Sequence, residues 1–192
     1  DKYNRIVKTL YPNGLTYDVS YDGNKVVTNM IAKNGVTKTK VDDFNVRGWL
    51  VNTTDVGGNK ITYEYYSDGL VKSAYIANNP NTRITVTYDN CRNKKTLYDP
   101  NYGTIKYEYD ALGNIKKIVN PKDALIEFEY DVLGRMISKV EKDVVLNEEF
   151  TTMWVYDEER GRQGLLKGVN TSGGHCVSYE YDDKFRMVSK TE

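Results

Sequence analysis

The chain is poor in the side chains that most often carry chemistry. It has one histidine, His175, and two cysteines, Cys91 and Cys176. A metal centre needs three or four convergent ligands, and nucleophilic catalysis needs a base beside the nucleophile. No glycine-rich phosphate cradle precedes a helix. The sequence therefore predicts no catalytic, cofactor-binding or metal-binding residues, and we expect neither an enzyme nor a cofactor.

Charge and hydropathy exclude further classes of protein. The 27 basic and 27 acidic residues balance, which argues against nucleic acid as a partner. No stretch approaches the roughly 20 apolar residues that span a bilayer, so no membrane span is expected. Two cysteines are too few for a disulfide framework. Cys91 stands where later repeats carry leucine, so we expect it to be a small buried hydrophobe.

Tyrosine is abundant, and much of it belongs to a recurring Tyr-Asp pair. The chain has 17 Tyr but only 4 Phe, and successive copies of the pair or its degenerate forms lie 20 to 26 residues apart. Such a period indicates a repeat protein. The repeat-defining residues are Tyr21-Asp22, Tyr88-Asp89, Tyr109-Asp110 with Gly113, Tyr130-Asp131 with Gly134, Tyr156-Asp157 and Tyr181-Asp182, with degenerate copies at Val41-Asp42 and Tyr65-Tyr66.

One repeat shows the local pattern most clearly. It opens with a turn at 110–114, in which Asp110 bonds backbone amides ahead of it and Gly113 supplies a positive φ. Two runs of strand-forming residues follow at 115–119 and 125–130, separated by a turn that contains proline. The second run alternates apolar and polar residues. The unit is predicted to be a β-hairpin.

Other copies follow related rules. The third turn position is apolar, which we expect to plug the end of each hairpin, in Tyr3, Phe44, Cys91, Leu112 and Leu133. The fourth position is Gly or Asn in Asn4, Asn45, Gly113 and Gly134, which tolerate left-handed backbone, whereas Arg92 and Phe185 break the rule and predict different turns. Asn13-Gly14 and Asn34-Gly35 predict two-residue hairpin turns. An insertion around 142–149 is expected to lengthen a hairpin loop, and 157–164 to form a charged, solvated loop.

About eight hairpins give about sixteen strands. Laid flat they would extend roughly 77 Å at about 4.8 Å per strand, and twisted open sheets seldom exceed about ten strands without curling. We therefore predict an all-β fold in which tandem β-hairpins over residues 1–192 form one curved antiparallel sheet, a single array and a segment of a spiral β-shell. The first residues fall inside a repeat, so we expect a segment of a longer protein with flanking repeats.

Two stretches carry a family resemblance. Tyr-Asp-x-Leu-Gly followed by Asn or Arg at 109–114 and 130–135, with Phe-Glu-Tyr-Asp at 128–131, resembles the Rhs or YD-repeat family. That family includes bacterial Rhs and wall-associated proteins, the C-components of insecticidal toxin complexes, and teneurins. The resemblance covers essentially the whole chain and implies a hollow β-shell, which in bacterial members encloses a C-terminal toxin. It implies a non-catalytic structural or encapsulating segment of a secreted or bacterial cell-surface protein, with flanking repeats and an enclosed toxin as partners.

The chain also departs from that family. The self-cleaving Asp-Pro-x-Gly motif is absent, and the similar segment at 99–103 has one residue too many, so we expect an ordinary turn there. The alternative function is a carbohydrate- or protein-binding adhesion module, with a glycan or surface receptor as partner. Its stacking platforms would be Tyr63, Tyr65, Tyr107 and Tyr109, because aromatic faces bind sugars and peptides.

Overall fold

The computed structural model describes residues 1–122, 124–143, 145–158 and 164–192. These residues form seventeen β-strands and no helix. The strands are β1 Lys8–Leu10, β2 Thr16–Asp22, β3 Lys25–Ile31, β4 Thr37–Phe44, β5 Leu50–Thr54, β6 Lys60–Tyr65, β7 Val71–Ile76, β8 Asn79–Tyr88, β9 Lys94–Asp99, β10 Gly103–Tyr109, β11 Ile115–Val119, β12 Leu125–Tyr130, β13 Met136–Asp143, β14 Glu148–Tyr156, β15 Leu166–Thr171, β16 Cys176–Tyr181 and β17 Met187–Thr191. The described residues accordingly contain no apolar helix long enough to cross a membrane.

The chain divides into two compact units. The first comprises Asp1–Thr87 with Tyr98–Asn101, and the second comprises Tyr88–Leu97 with Tyr102–Glu192. In the first unit each strand from β1 to β8 pairs antiparallel with the next. In the second unit β10 to β17 do the same, and β9 pairs with β10. Each unit is a meander of hairpins, so the prediction of an all-β antiparallel repeat fold is confirmed.

The pairing register breaks in the same way at successive hairpins. Glu108 pairs with Lys117 but the next residue, Tyr109, pairs with Ile115, so Lys116 is left over as a β-bulge. The same shift stands at Phe44, Tyr65, Tyr130, Tyr156 and Tyr181. A bulge bends its strand and increases the local twist. The aromatic residue before each of these turns therefore lies beside a β-bulge that recurs from repeat to repeat.

Little of the chain is deeply buried. Among the described residues, the most deeply buried apolar side chains are Val86 and Val177, at 9% and 7% exposure, whereas most strand residues are half-buried. Ion pairs join neighbouring strands, for example Lys142 with Glu127 at 3.2 Å and with Glu149 at 3.5 Å. Solvent-exposed pairs of this kind contribute little to stability. Stability must therefore come from the backbone ladder, the half-buried faces and the turns.

Several turn predictions need correction. The third-position side chains do not plug the hairpins: Leu112, Leu133 and Tyr3 are 76%, 69% and 66% exposed, and Cys91 is exposed too. Phe44 is half-buried, but it is the last residue of β4, so Asn45 begins its loop and Gly48, with φ of 78°, takes the fourth position. Arg92 and Phe185 do not change their turns, since both keep the left-handed backbone, with φ of 68° and 61°. These turns project their tips into solvent, so backbone conformation, and not tip burial, is what they have in common.

Loop lengths also differ from expectation in the first unit. Leu10 pairs with Thr16 and Ile31 with Thr37, so each Asn-Gly lies in a five-residue loop and not in a two-residue turn. The two-residue turn is found between Asp22 and Lys25, which pair directly. In the second unit the prediction of a lengthened loop is wrong: Asp143 pairs with Glu148, so the insertion around 142–149 extends the strands β13 and β14, of 8 and 9 residues. Of the charged loop predicted at 157–164, residues 159–163 lie outside the described residues.

Candidate functional site

The most regular polar constellation is a five-residue loop closed by its first side chain. In the loop 110–114, the Asp110 Oδ1 accepts hydrogen bonds from the Leu112 and Asn114 amides at 2.9 and 2.8 Å. The backbone closes as well, because the Asp110 amide donates to the Asn114 carbonyl and the Gly113 amide to the Asp110 carbonyl. Gly113 has φ of 87°, a conformation that glycine adopts without a steric penalty. One carboxylate oxygen thus organises the whole loop.

The same loop recurs at both ends of the hairpins. Asp1, Asp55, Asp89, Asp131 and Asp182 accept from the amides two and four residues ahead, and Asn45 and Asn120 do so with their amide oxygens. The degenerate copy predicted at Val41-Asp42 lies inside β4. The loop there begins three residues later, at Asn45, because Phe44 and Asn45 occupy the Tyr and Asp places.

The fifth residue of the loop returns to the same carboxylate. The Asn114 Nδ2 donates to the Asp110 Oδ2 at 2.9 Å, and this bond, opposed by burial, is the largest cause that holds the pKa of Asp110 below 3.8. Where the fifth residue is arginine, two donors reach that oxygen: Arg135 Nε and Nη2 lie 2.6 and 2.5 Å from Asp131 Oδ2. Charge-assisted bonds of this kind are stronger than neutral ones.

Most of the tyrosines before these loops join the end of one strand to the start of the strand before it, through a hydrogen bond that we call a tyrosine tie. The Tyr130 hydroxyl, at the end of β12, donates to the carbonyl of Ile115, the first residue of the paired strand β11, at 3.0 Å. Ile115 is the first residue after the preceding Asp loop and pairs with Tyr109. The equivalent ties are Tyr21 to Ile6, Tyr65 to Leu50, Tyr109 to Lys94, Tyr156 to Met136 and Tyr181 to Leu166. The Tyr and the Asp thus have separate roles: the Asp closes a loop, and the Tyr joins loops.

Two of the loop arginines add a second contact to this tie. The Arg5 guanidinium lies 3.8 Å from the Tyr21 ring centroid, and that of Arg135 lies 4.3 Å from the Tyr156 ring. In both cases the arginine that closes one loop stacks on the tyrosine of the next hairpin. A cation held over an aromatic face contributes about 0.5–1 kcal/mol at exposed sites.

One predicted pair differs from the rest. Tyr21 makes the hydroxyl tie, but Asp22 is the last residue of β2 and faces Lys25 across the two-residue turn, not a five-residue loop. In the degenerate pair, Tyr65 makes the tie while Tyr66 occupies the Asp place and donates its hydroxyl to the Val86 carbonyl at 3.1 Å. Gly134, like Gly113, supplies the positive φ of its loop, at 77°.

The four tyrosines of the ligand-stacking alternative are half-buried within the sheet. Tyr65 and Tyr109 are held by their hydroxyl ties, and the Tyr65 ring lies 5.3 Å from that of Trp49. Lys94 lies 5.6 Å from the Tyr107 ring. Burial raises the pKa of both Tyr65 and Tyr109 above 10.0, helped by the neighbouring tyrosine. Ligand stacking on these residues stays a prediction.

A polar cluster that sequence reasoning missed lies on β6, β7 and β8. Ser73, only 2% exposed, donates to Glu64 Oε2 at 2.8 Å, and Arg83 Nη1 donates to the same oxygen at 2.6 Å and to Ser73 Oγ at 2.8 Å. The Arg83 guanidinium also stacks 3.8 Å from the Tyr75 ring. The hydrogen bond from Ser73 is the first cause that keeps the pKa of Glu64 below 4.5. The members are spread over twenty residues of ordinary alternation, so no local signal marked them.

The remaining chemistry is sparse. His175 and Cys176 are both exposed, and Cys176 Sγ donates to Asn170 Oδ1 at 2.7 Å. Among the described residues, no group of three or more His, Cys, Asp or Glu side chains has a geometry that holds a metal. A groove of about 600 Å³ is lined by residues that include Asn120, Lys142 and Phe150. The segment at 99–103 is a turn, with the Asn101 amide bonded to Asp99.

The fold of this chain is similar to that of several solved structures, although its sequence matches little. No family model and no curated protein matches the sequence. Solved structures do match: a crystal structure of TcdB2-TccC3-TEV has a TM-score of 0.67 and 13% identity, covering 100% of this chain and 12% of that one. A crystal structure of TcdB2-TccC3-Cdc42 has a TM-score of 0.56 and 16% identity, covering 95% of this chain and 13% of that one.

A third match is the Tc holotoxin pore of Photorhabdus luminescens, with a TM-score of 0.57 and 15% identity over 93% of this chain and 12% of that one. The chain therefore spans about an eighth of the length of these neighbours. TccC is an Rhs-repeat protein, so the resemblance drawn from the sequence is confirmed at the level of fold. This chain has the Rhs or YD-repeat fold of those toxin-complex chains.

Proposed function

We propose that this chain is a non-catalytic structural segment of a secreted or cell-surface Rhs-type repeat protein, and that it helps to enclose a C-terminal toxin of the same protein. The observation that carries the proposal is the series of tyrosine ties, each of which joins the end of one strand to the start of the strand before it, or to a residue just ahead of that strand. A wall needs successive elements to be locked in register, because a strand that slips by one residue exchanges its two faces.

Two further observations support the structural role. The polar side chains that recur from repeat to repeat close loops or form tyrosine ties, as Asp110 and Tyr130 do. The neighbours in fold are components of toxin complexes, one of them a holotoxin pore, and this chain spans a small part of each. A short stretch of a long repeat array is expected to form part of the wall that the repeats build and not an active centre.

The test uses the complete polypeptide that contains this chain. Limited proteolysis should leave a C-terminal region intact while exposed loops are cut, because the wall excludes the protease. Replacing two successive ties, Tyr109→Phe and Tyr130→Phe together, should make that region cleavable at least several-fold faster. Tyr102→Phe is the matched control, since its ring is 50% exposed and lies in a turn.

Two outcomes would count against the proposal. If no C-terminal region resists protease in the unaltered polypeptide, the enclosing role is wrong. If the isolated chain binds glycans in a dose-dependent manner and Tyr107→Ala abolishes that binding, the adhesion alternative replaces it. A blank glycan array together with a protected C-terminal region would support the enclosing role.

A further inference from the structure

Arg83 differs from the loop arginines in the edge of its guanidinium that holds a carboxylate. In the Asp loops, Arg5, Arg135 and Arg186 each direct both Nε and Nη2 at one carboxylate oxygen, at 2.5 to 2.8 Å. Arg83 reaches Glu64 with Nη1, and within the described part of the chain its Nε and Nη2 make no hydrogen bond to a carboxylate. The Nε–Nη2 edge, whose two parallel donors match the two oxygens of a carboxylate, is therefore open at Arg83.

The rest of the Arg83 side chain is held in place from within the sheet. Its Nη1 donates to Ser73 Oγ at 2.8 Å, and Ser73 is only 2% exposed. The ring of Tyr75 lies 3.8 Å from the guanidinium carbon. The side chain nevertheless remains 34% exposed. A planar guanidinium that is fixed beforehand loses less entropy for each hydrogen bond that it forms, so the open edge is ready for a planar anion.

The charge of Arg83 is not cancelled by its partner. The pKa of Glu64 is held below 4.5 first by the hydrogen bond from Ser73 and next by that from Arg83, and the charge of Lys72 lowers it further. Among the described residues, Glu64 is the carboxylate whose charge acts on Arg83. One carboxylate thus faces two cations, which leaves this part of the sheet with an excess of positive charge.

Arg83 lines a groove of about 510 Å³ that lies wholly within the first unit. The volume falls in the range of small-molecule sites, which is roughly 300–1,000 Å³. The other lining residues are uncharged and include Asn81, Thr85, Tyr98 and Asn101, together with two prolines. Both asparagines are exposed, and so is the ring of Tyr98, at 44%.

The neutral lining residues are available to a ligand. In the part of the chain that the structure describes, the side chains of Asn81, Thr85 and Asn101 make no hydrogen bond. Amides and hydroxyls donate to and accept from sugar hydroxyls, and an exposed aromatic face packs on the apolar face of a sugar ring. A single cation among such groups suits a ligand with one carboxylate and several hydroxyls better than an acidic peptide, whose several carboxylates would need several cations.

We propose that this groove binds an acidic saccharide, a sugar that carries a carboxylate, with Arg83 as its anchor. The carboxylate takes the open Nε–Nη2 edge, the sugar hydroxyls bond to the amides of Asn81 and Asn101, and the sugar ring packs on Tyr98. The site shares no residue with the tyrosines of the adhesion alternative. It also goes beyond the enclosing role, since the groove binds its ligand whether or not the segment encloses a toxin.

The experiment titrates the full chain with sialyllactose and, separately, with digalacturonate, and follows binding by isothermal titration calorimetry and ligand-observed NMR. The two sugars distinguish a sialic acid from a uronic acid as the source of the carboxylate. We expect at least one of them to bind with a dissociation constant in the millimolar range or below. Lactose and the methyl ester of sialyllactose lack the carboxylate, so each should bind at least about tenfold more weakly than the acidic sugar.

Variants then test the named residues. Arg83→Lys keeps the charge but loses the planar edge, so it should weaken binding at least about tenfold. Arg47→Lys is the matched control, because Arg47 lies in the same unit and stacks on a ring, that of Trp49, at 5.1 Å, yet does not line the groove. Asn101→Ala lies outside the Glu64 cluster on an exposed turn, so it should weaken binding several-fold without changing the urea midpoint.

Each outcome decides the inference. Absence of binding by both acidic sugars, or equal binding of lactose or the methyl ester, overturns it, as does parental affinity in Arg83→Lys. If that variant does not fold, Asn101→Ala decides in the same way. Loss of sugar binding in Tyr107→Ala but not in Arg83→Lys would assign the sugar to the adhesion alternative. Tighter binding of a Glu-rich peptide than of either sugar would assign the groove to a protein partner. Proteolysis tests the enclosing role separately, so failure of one proposal is distinct from failure of the other.

Discussion

The Tyr130 hydroxyl bonds to the carbonyl of Ile115, the residue that pairs with Tyr109 of the preceding loop. The acceptor of this hydrogen bond therefore lies opposite the tyrosine that donates the preceding one. The hydroxyl explains the preference for tyrosine at this place, because a ring alone, as in Phe44 of β4, packs but does not reach a carbonyl. The tie joins the open ends of two paired strands, so it fixes their register at the end away from their connecting loop.

Loss of one hydroxyl should be measurable. Tyr130→Phe keeps the ring but leaves the Ile115 carbonyl without its donor, so we expect a loss of about 1 kcal/mol in the free energy of unfolding. Urea denaturation followed by circular dichroism measures it. Tyr102→Phe should change the free energy little, because its ring is half exposed. Equal stability of Tyr130→Phe and the parent would show that the ring, and not the hydroxyl, matters.

The Asp loop predicts an order of stabilities. Asp110→Asn should be only mildly destabilising, because Asn45 and Asn120 accept hydrogen bonds from the two equivalent amides of their own loops. Asp110→Ala removes the acceptor altogether and leaves the Leu112 and Asn114 amides to solvent, so it should unfold at lower urea concentration than Asp110→Asn. An alanine variant as stable as the asparagine variant would contradict the role of the side-chain oxygen.

Gly103 is closely approached by the neighbouring hairpin. A Cβ there would lie 2.7 Å from the Pro121 Cβ, and its φ is 99°. We expect Gly103→Ala to cost about 1–3 kcal/mol of the free energy of unfolding. In a double-mutant cycle, Pro121→Gly should recover the part due to the clash, whereas the part due to φ should remain. Purely additive losses would mean that the proline moves aside freely.

Acid should lower the free energy of unfolding by protonating the loop carboxylates. Hydrogen bonds from the side chains of Asn59 and Asn114 are the largest causes that keep the pKa of Asp55 and Asp110 below 3.8. Because the folded-state pKa is the lower one, their stabilisation is complete above 3.8 and disappears as the pH falls through the folded-state value. Urea midpoints should be level from about pH 7 to 5 and fall below about pH 4. Asp110→Asn should show a smaller acid decrease, and an identical decrease would exclude this carboxyl as a contributor.

Much of the fold was predictable because its determinants are local. Alternation in β12 and β16, the Asp at the start of each loop and the glycine or asparagine at its fourth position all act within a few residues. Loop lengths were less predictable, since Asn13-Gly14 forms a five-residue loop while Asp22 begins a two-residue turn. Both sequences suit either turn, and the pairing of the flanking strands decides between them.

The candidate site was predictable only in part. The recurring Tyr-Asp pair marks tyrosines that form ties, but the target of each hydroxyl lies fifteen residues earlier, at the start of the neighbouring strand. The apolar third position suggested burial, yet Leu112 is exposed because its loop projects beyond the sheet. The Glu64, Ser73 and Arg83 cluster joins three strands, so it exists only once they are paired.

The sequence by itself determined the all-β hairpin repeat, because alternation and loop chemistry are set by neighbours along the chain. Only the tertiary structure decided which carbonyl each of the repeated tyrosines reaches. The physical reason is that a hydrogen bond depends on the distance between groups on neighbouring strands. That distance is fixed by strand pairing and by the bulge beside each loop, neither of which the local pattern encodes.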